Sequence, residues 1–293
     1  MESQLTQGAY ERTDGRPEEA SLEQRIYQRM LSYLVEDLGR ERVWAESRSR
    51  AEADGTHARR VCEELERNKI DVRGKSVLEV GAGMGGVAAE LQQRGATVVA
   101  LEPGAGWRTL AGERCRSLKG CFVVGGCGEY LPFAEKTFDL VVSFQVLEHV
   151  QNPSEVVHEV FRVLKPGGEA FLTYENYFGF REPHYGVFWL PLLPRAIGRQ
   201  YLKLLGKDPT FFCEAITYTT FLSVRRQLQS AGFAFVHEEL WRHAPGKKLA
   251  HRIAGVMRGK TSSLPASWRI RIDCIRRMMR TYTEEHLRRP LNS

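Results

Sequence analysis

The chain has 293 residues, 42% of them hydrophobic and 27% charged, with a formal net charge of +6 at pH 7. That length admits one enzyme-sized domain with additions and a substantial core. Its six cysteines (Cys62, Cys115, Cys121, Cys127, Cys213, Cys274) form no C-x-x-C pair, which excludes a zinc-knuckle or disulfide framework and fits a reducing, cytoplasmic setting. Residues 1–17 are polar and charged, unlike a signal sequence. The most apolar stretch, Val187 to Leu193, is broken by Pro191 and followed by Pro194, far short of the roughly 18 apolar residues of a membrane span.

Residues 1–20 carry no periodicity and are expected to be disordered. Ser21-Leu22-Glu23-Gln24 has the capping-box pattern, and Leu22, Ile26, Met30, Leu34 and Leu38 recur at helical spacing. A second charged helix is expected from about Glu41 to Asn68, making 21–70 a helical leader. The main domain is expected over 71–240. Its strands read at 76–80, 97–101, 121–124, 138–143 and 169–174, with helical segments between. Asn152-Pro153-Ser154-Glu155 opens one of those helices, and Lys165-Pro166-Gly167-Gly168 stops it. That alternation predicts an α/β fold with a doubly wound, mostly parallel sheet, whose ligands bind at the carboxyl ends of the strands.

An insertion, 175–216, follows the fifth strand and is dense in aromatics. Thr220 to Ser230 then reads as a helix and Gly232 to His237 as a sixth strand; a seventh is either missing or lies after Trp241. Residues 241–293 form a basic tail, with +9 over 245–293 against −3 for the rest of the chain. Trp268, Ile272, Ile275, Met279 and Tyr282 make a narrow apolar stripe flanked by Arg269, Arg276, Arg277 and Arg280. A basic amphipathic helix is expected there, docked on its own domain or lying on an anionic membrane surface.

The chemistry sits in the first half of the sheet. Strand 76–80 runs into Gly81-Ala82-Gly83-Met84-Gly85-Gly86, and strand 97–101 ends on Glu102. A strand, a glycine turn, a helix and a second strand closed by an acid form a nucleoside half-site, the acid accepting the ribose hydroxyls. Gly81, Gly83 and Gly86 also satisfy the dinucleotide fingerprint, so a nicotinamide enzyme stays open on the glycines alone. Glu79 favours a cationic ligand, because a carboxylate beside a pyrophosphate loop is repulsive.

Further along, Gly126-Cys127-Gly128-Glu129-Tyr130-Leu131-Pro132-Phe133 leads through Phe138-Asp139-Leu140-Val141-Val142-Ser143 to Leu147-Glu148-His149-Val150 and Leu164-Lys165-Pro166-Gly167-Gly168. With the glycine turn, these motifs make 72–174 resemble a class I S-adenosylmethionine-dependent methyltransferase, of the small-molecule group that includes the ubiquinone-pathway enzymes. The resemblance implies a Rossmann-like methyltransferase fold and leading helices that cover the cofactor, plain packing on the sheet being the alternative. It places the methionine end at Glu79, Gly81, Ala82, Gly83 and Gly85, and the ribose at Glu102 with Pro103. The adenine falls at Cys127, Gly128 and Glu129, and Phe144 and Gln145 complete the set. Where the family commonly has an aspartate for the adenine amino group, this chain has Cys127, a weak acceptor; recognition then rests on backbone groups of Gly128 and Glu129.

Methyl transfer from a sulfonium needs alignment and, for a hydroxyl or amine acceptor, a base. His149 and His184 are the candidates, and Tyr174, Tyr177, His184, Tyr185 and Trp189 are the expected substrate wall. Some ubiquinone O-methyltransferases hold a divalent metal on acids and a histidine after the fourth strand. Here Gln145 replaces the first acid and leaves Glu148 and His149, too few for a hard cation, so no metal is expected. The chain reads Ser143-Phe144-Gln145-Val146 where base-amino methyltransferases carry Asn/Asp-Pro-Pro-aromatic, which disfavours nucleic acid. A hydroxyl on a sugar, phenol, quinone or lipid-linked intermediate is the expected acceptor. A dehydrogenase and a non-catalytic module that keeps the fold are the alternatives.

Overall fold

The computed structural model describes residues 20–235 and the backbone of 282–288. The central strands are β1 (Ser76–Val80), β2 (Thr97–Leu101), β3 (Cys121–Val124), β4 (Phe138–Phe144) and β5 (Leu164–Glu175), with β6 (Ala234–Phe235) and β7 (Tyr282–Arg288) beyond them. They form one sheet in the order β3-β2-β1-β4-β5-β7-β6. The first five strands run parallel, and β7 runs antiparallel to β5 and β6. Strands buried on both faces are near-continuously apolar, as Val77, Leu78 and Val80 show. Leu78 and Val80 belong to a core with Val156, Val160, Val224 and Leu228, while Val77 packs with Leu65, Ala88, Leu91 and Val98 on the other face. The doubly wound reading therefore holds.

The strand after Trp241 corrects the helical reading of the tail. Residues 282–288 pair along β5 from Glu175↔Tyr282 to Glu169↔Arg288. Without them the long β5 would leave one edge of backbone donors and acceptors open, and that demand outweighs the helical spacing ending at Tyr282. The rest of the proposed amphipathic stripe, the end of the sixth-strand reading past Phe235 and the N-terminal 1–19 lie outside the described residues.

In the leader, α1 (Leu22–Ser32) opens with the expected capping box: Gln24 N–H donates to Ser21 Oγ at 3.2 Å and Ser21 N–H to Gln24 Oε1 at 2.9 Å. One wide π turn, Tyr33–Asp37, continues it. The single helix expected over 41–68 is two, α2 (Arg42–Ala53) and α3 (Thr56–Arg67), split at Gly55, whose φ of +75° a helix cannot contain. Ile26, Met30, Leu34, Leu38 and Ala45 share one core with Met84 of the glycine turn and Leu110. The leader is thus packed onto the ligand half of the sheet.

Around the sheet lie α4 (Gly86–Gln93), α5 (Ala105–Cys115), α6 (Pro153–Val163) and α9 (Phe221–Ala231). α6 is capped by Asn152, which accepts from Ser154 N–H, and has Pro153 at its start, as expected. It stops at Val163, and β5 begins at once with a register shift opposite 138–140. The insertion carries α7 (Arg195–Leu204) and α8 (Thr210–Ala215) around its own core. Among the described residues no helix is long and apolar enough to cross a membrane, and the five described cysteines are free thiols.

At the far end of the sheet from the ligand side, Asp139 Oδ2 accepts from Ser76 N–H at 2.9 Å and Oδ1 from Lys165 Nζ at 2.8 Å, tying β1, β4 and β5 together. Burial pushes this carboxyl up, but Lys165 and Ser76 outweigh it and hold it at about 2. A lowered acid stabilises above its unfolded value and loses that contribution as pH falls through its folded value. Native stability is therefore expected to decline between roughly pH 4 and pH 2 through this group. Asp139→Asn removes that part of the decline in acid-titrated urea melts; an unchanged acid limb would refute the assignment.

Candidate active site

Three glycines of the turn after β1 adopt left-handed backbone, with φ of +78° at Gly81, +54° at Gly83 and +74° at Gly85. Each does something different. A Cβ on Gly81 would stand 2.3 Å from Val146 Cγ2, one on Gly83 would meet nothing within 4 Å, and one on Gly85 would press on Ala111 at 3.0 Å. Gly81 lets the loop after β4 close over the turn, Gly83 keeps an open backbone face, and Gly85 lets α4 start against α5.

Above this turn lies a cleft of about 970 Å³ at the carboxyl ends of β1, β2 and β4. Gly81, Gly83, Glu102 and Pro103 line it, followed by the 126–130 segment and then Phe144, Gln145, Val146 and His149. Glu102 is fixed by Gly83 N–H on Oε2 and Gly104 N–H on Oε1, both at 2.8 Å. Burial raises its carboxyl, and those two N–H groups offset part of the rise. Each oxygen keeps lone pairs for a ribose diol. Gly128 allows the segment after β3 to lie close on Val156 and Val80, and the exposed Cys127 thiol borders the cleft beside it. An adenosyl group fits this arrangement: an open glycine backbone, an anchored acid and a ring slot bounded by backbone.

Other expected residues are not at the cleft. Glu79 is buried, one oxygen lacks a partner, and its carboxyl is absent from the lining. Burial first, then Cys115 and Glu52, raise it well above the carboxylate range. A buried carboxyl behind the turn, whose charge is disfavoured by desolvation, does not face the cleft, so the electrostatic reading of Glu79 is corrected; alternation along β1 points it at the α4 side with Val77. Ala82 and Gly85 likewise serve the turn and not its lining.

The proposed substrate wall is corrected too. Tyr174 belongs to the sheet core, and Tyr177, Tyr185 and Trp189 belong to the insertion core, all at most 4% exposed. Tyr185 Oη donates to Asp208 O at 2.7 Å, and Tyr177 Oη donates to Glu182 Oε1 at 3.1 Å. These aromatics hold the insertion together. The rings that do line the cleft are Tyr33, Trp107, Tyr130, Phe144 and Phe211. Tyr33 meets Trp107 edge-on at 5.4 Å and Phe211 at 6.0 Å, so the leader, α5 and the insertion close one wall together. Tyr33 is one residue off the helical stripe, a signal that reads as solvent-facing until the π turn rotates it.

The two candidate bases come together although 35 residues apart: His149 Nε2 lies 3.3 Å from His184 Nε2. Phe211 packs on both rings. His149 Nδ1 lies 2.9 Å from Ala215 O, which only accepts, so Nδ1 carries the proton. His184 Nδ1 faces Glu182 Oε1 at 3.1 Å. Desolvation first, then the neighbouring His184, lowers His149 below the usual imidazole range, while its ring borders the cleft.

Beside the pair, Glu148 is wholly buried, with Oε2 unpartnered, and burial raises it to about 7. Gln145 holds a left-handed φ of +58°. With its amide nitrogen turned toward the acids, it donates to Glu148 Oε1 at 3.0 Å and Glu175 Oε1 at 2.6 Å. Backbone strain of this kind, on a non-glycine residue at the cleft, is held by Gln145 N–H donating to Thr173 O at 3.0 Å. Sequence supplied two ligand-type groups here, Glu148 and His149; the insertion adds His184 as a third.

A doubly wound sheet in the order 3-2-1-4-5-7-6, with an adenosyl-sized cleft over a glycine turn and an anchored acid, defines the Rossmann-like class I methyltransferase fold. The family model described as a methyltransferase domain matches residues 78–172, and that segment has the class I methyltransferase fold. An uncharacterized methyltransferase of Mycolicibacterium gilvum is 38% identical over 107 residues, covering 36% of this chain and 42% of that protein. A ubiquinone biosynthesis O-methyltransferase of Pseudomonas fluorescens is 33% identical over 147 residues, covering 47% of this chain and 57% of that protein. The chain thus spans about half the length of these relatives. The crystal structure of an S-adenosylmethionine dependent methyltransferase from Mesorhizobium loti shares the fold at 18% identity and a TM-score of 0.51, over 78% of this chain and 96% of that one.

Proposed function

We propose that this protein is an S-adenosylmethionine-dependent methyltransferase that methylates a hydroxyl of a small, ring-bearing acceptor. The observation that carries the choice of oxygen is the His149–His184 pair, whose His149 ring lines the aromatic-walled cleft. S-adenosylmethionine supplies an activated methyl and its own leaving group, so the chain's task is alignment, exclusion of water and handling of the acceptor proton. Gly83 and Glu102 hold the nucleoside. Tyr33, Trp107 and Phe211 enclose an apolar ring, and the two imidazoles provide the means of removing a hydroxyl proton. The name of the Pseudomonas relative, an O-methyltransferase, agrees with oxygen as the acceptor atom.

S-adenosylmethionine and S-adenosylhomocysteine are both expected to raise the melting temperature, and NADH is not. A shift with NADH alone restores the dehydrogenase reading, and no shift with any of the three leaves a binding module. Glu102→Ala should weaken S-adenosylhomocysteine by about 1–3 kcal/mol in calorimetry, through loss of the ribose bonds. An unchanged affinity would put the ribose elsewhere.

A lipid-linked acceptor, with the basic tail on an anionic surface, extends the proposal. The tail's apolar stripe lies outside the described residues apart from Tyr282, so its test is functional: replacing Arg269, Arg276, Arg277 and Arg280 together by glutamine, which keeps β7, should lower vesicle association. An unchanged association removes the lipid element. Nucleic acid is not proposed as a partner, because the loop after β4 lacks the base-amino turn.

A further inference from the structure

We infer that Glu182 is a positioning residue for proton removal: it locks His184 in the tautomer with its proton on Nδ1, so that two unprotonated Nε2 atoms face one another and take the acceptor's hydroxyl proton between them. The inference deepens the methyl-transfer reading and rests on it for its chemistry, though not for the lock itself. The lock is built from burial and hydrogen bonds. Glu182 is 0% exposed. Its Oε2 accepts Tyr185 N–H at 2.6 Å, and its Oε1 accepts the Tyr177 hydroxyl at 3.1 Å. Burial first, then Glu182, holds the Tyr177 phenol well above its usual value, so it stays a donor. An ionised carboxylate only accepts. His184 Nδ1, 3.1 Å from the same Oε1, therefore donates to it. The partner of one imidazole nitrogen decides which nitrogen carries the proton, and His184 Nε2 is left with a lone pair. From the leader, Arg40 donates to the carbonyl of Pro183 at 3.2 Å and fixes the turn that carries both the acid and the histidine.

His149 is set in the same way by a different element. Its Nδ1 donates to Ala215 O at the end of α8, and its Nε2 faces His184 Nε2 at 3.3 Å. Phe211 packs against both rings and holds them in place. Two neutral rings with both lone pairs turned inward repel one another. A single proton between them turns that repulsion into an N–H···N hydrogen bond, which makes the pair a stronger base than either ring alone. In the transfer step the acceptor O–H bond breaks as its oxygen forms a bond to the methyl carbon. Sulfur keeps the electron pair of the broken C–S bond, and the proton settles between His149 Nε2 and His184 Nε2. One positive charge thus leaves the sulfur and one arrives on the imidazoles, with the Glu182 carboxylate bonded to the far side of His184 as its counter-ion. Glu182 touches neither acceptor nor cofactor and acts only through His184.

Long-range proton–nitrogen NMR spectra of the full chain, labelled with ¹⁵N-histidine, test the lock with neither cofactor nor acceptor present. The two rings are assigned by the signals lost in His149→Gln and in His184→Gln. At about pH 8, above the ordinary imidazole range, both are expected as neutral Nδ1–H forms. An Nε2–H form of either ring in the parent chain overturns the proposal. Glu182→Gln should reverse the lock. Tyr185 N–H requires an oxygen, which turns the new amide nitrogen toward His184; His184 then accepts at Nδ1 and carries its proton on Nε2. That change of tautomer is expected together with a fall in kcat of at least about 10²-fold at unchanged KM, with catechol as the acceptor. A changed tautomer with an unchanged kcat overturns the positioning role. Tyr177→Phe, which removes another bond to the same carboxylate, should keep the Nδ1–H form; its loss there would trace the effect to a loosened insertion and overturn the assignment to Glu182. The melting shift with S-adenosylhomocysteine, measured on each variant, separates loss of fold from loss of the lock. An absent shift in the parent chain ends the methyltransferase reading, while the spectra still decide the tautomer that Glu182 imposes.

Discussion

Substitution of His149 by glutamine is expected to lower methyl transfer to a phenolic acceptor by about 10²–10⁴-fold, measured as label moved from S-adenosylmethionine. The expectation follows from where the ring stands. Its Nδ1 is committed to Ala215 O, its Nε2 meets His184, and its edge borders the cleft. Glutamine fills part of the volume but offers neither an imidazole lone pair nor a protonatable nitrogen. The melting shift with S-adenosylhomocysteine should survive, because Gly83 and Glu102 follow β1 and β2 while His149 follows β4, on the other side of β1. A transfer rate within about threefold of the parent, against the 10²-fold minimum for a proton-transfer group, would remove His149 from the chemistry.

Gly81→Val is expected to abolish cofactor binding and to destabilise the fold. Its backbone, at φ +78°, costs a β-branched residue about 1–3 kcal/mol. Its Cβ would also overlap Val146 Cγ2 at 2.3 Å, and overpacking of that kind costs typically 1–3 kcal/mol more. Relief of the overlap must shift Val146, which lies on the loop that also carries Gln145 and His149, so cofactor turn and acceptor wall are disturbed together. Gly83→Ala separates the two effects. Nothing lies within 4 Å of its Cβ, so it should cost backbone strain while the new methyl intrudes on the open cofactor face. Wild-type calorimetric affinity for S-adenosylhomocysteine in Gly81→Val would refute the role of the turn.

Local signals carried the sheet. The glycine turn, the acid closing β2 at Glu102 and the Asn152-Pro153 cap are short motifs read from residue type and spacing, and the structure places each at the expected strand or helix end. Two longer readings failed for physical reasons. A continuous helix over 41–68 ignored that Gly55 can turn left-handed at little cost, and a helical 282–288 ignored the open edge of β5. The substrate wall failed differently. Tyr177, Tyr185 and Trp189 looked like a binding surface because aromatics on a loop either line a pocket or fill a core, and their sequence is the same in both cases.

The sequence by itself determined the α/β class and the positions of the glycine turn and of the acid that closes β2, since those depend on residue type and short spacing. Only the tertiary structure decided that Glu79 turns away from the cleft, that Tyr33 and Trp107 enclose it, and that His184 meets His149. Such pairings are set by how α1, α5 and the insertion pack over the ends of the strands. Packing is a property of side-chain volume and burial summed over distant segments, and no local spacing encodes it.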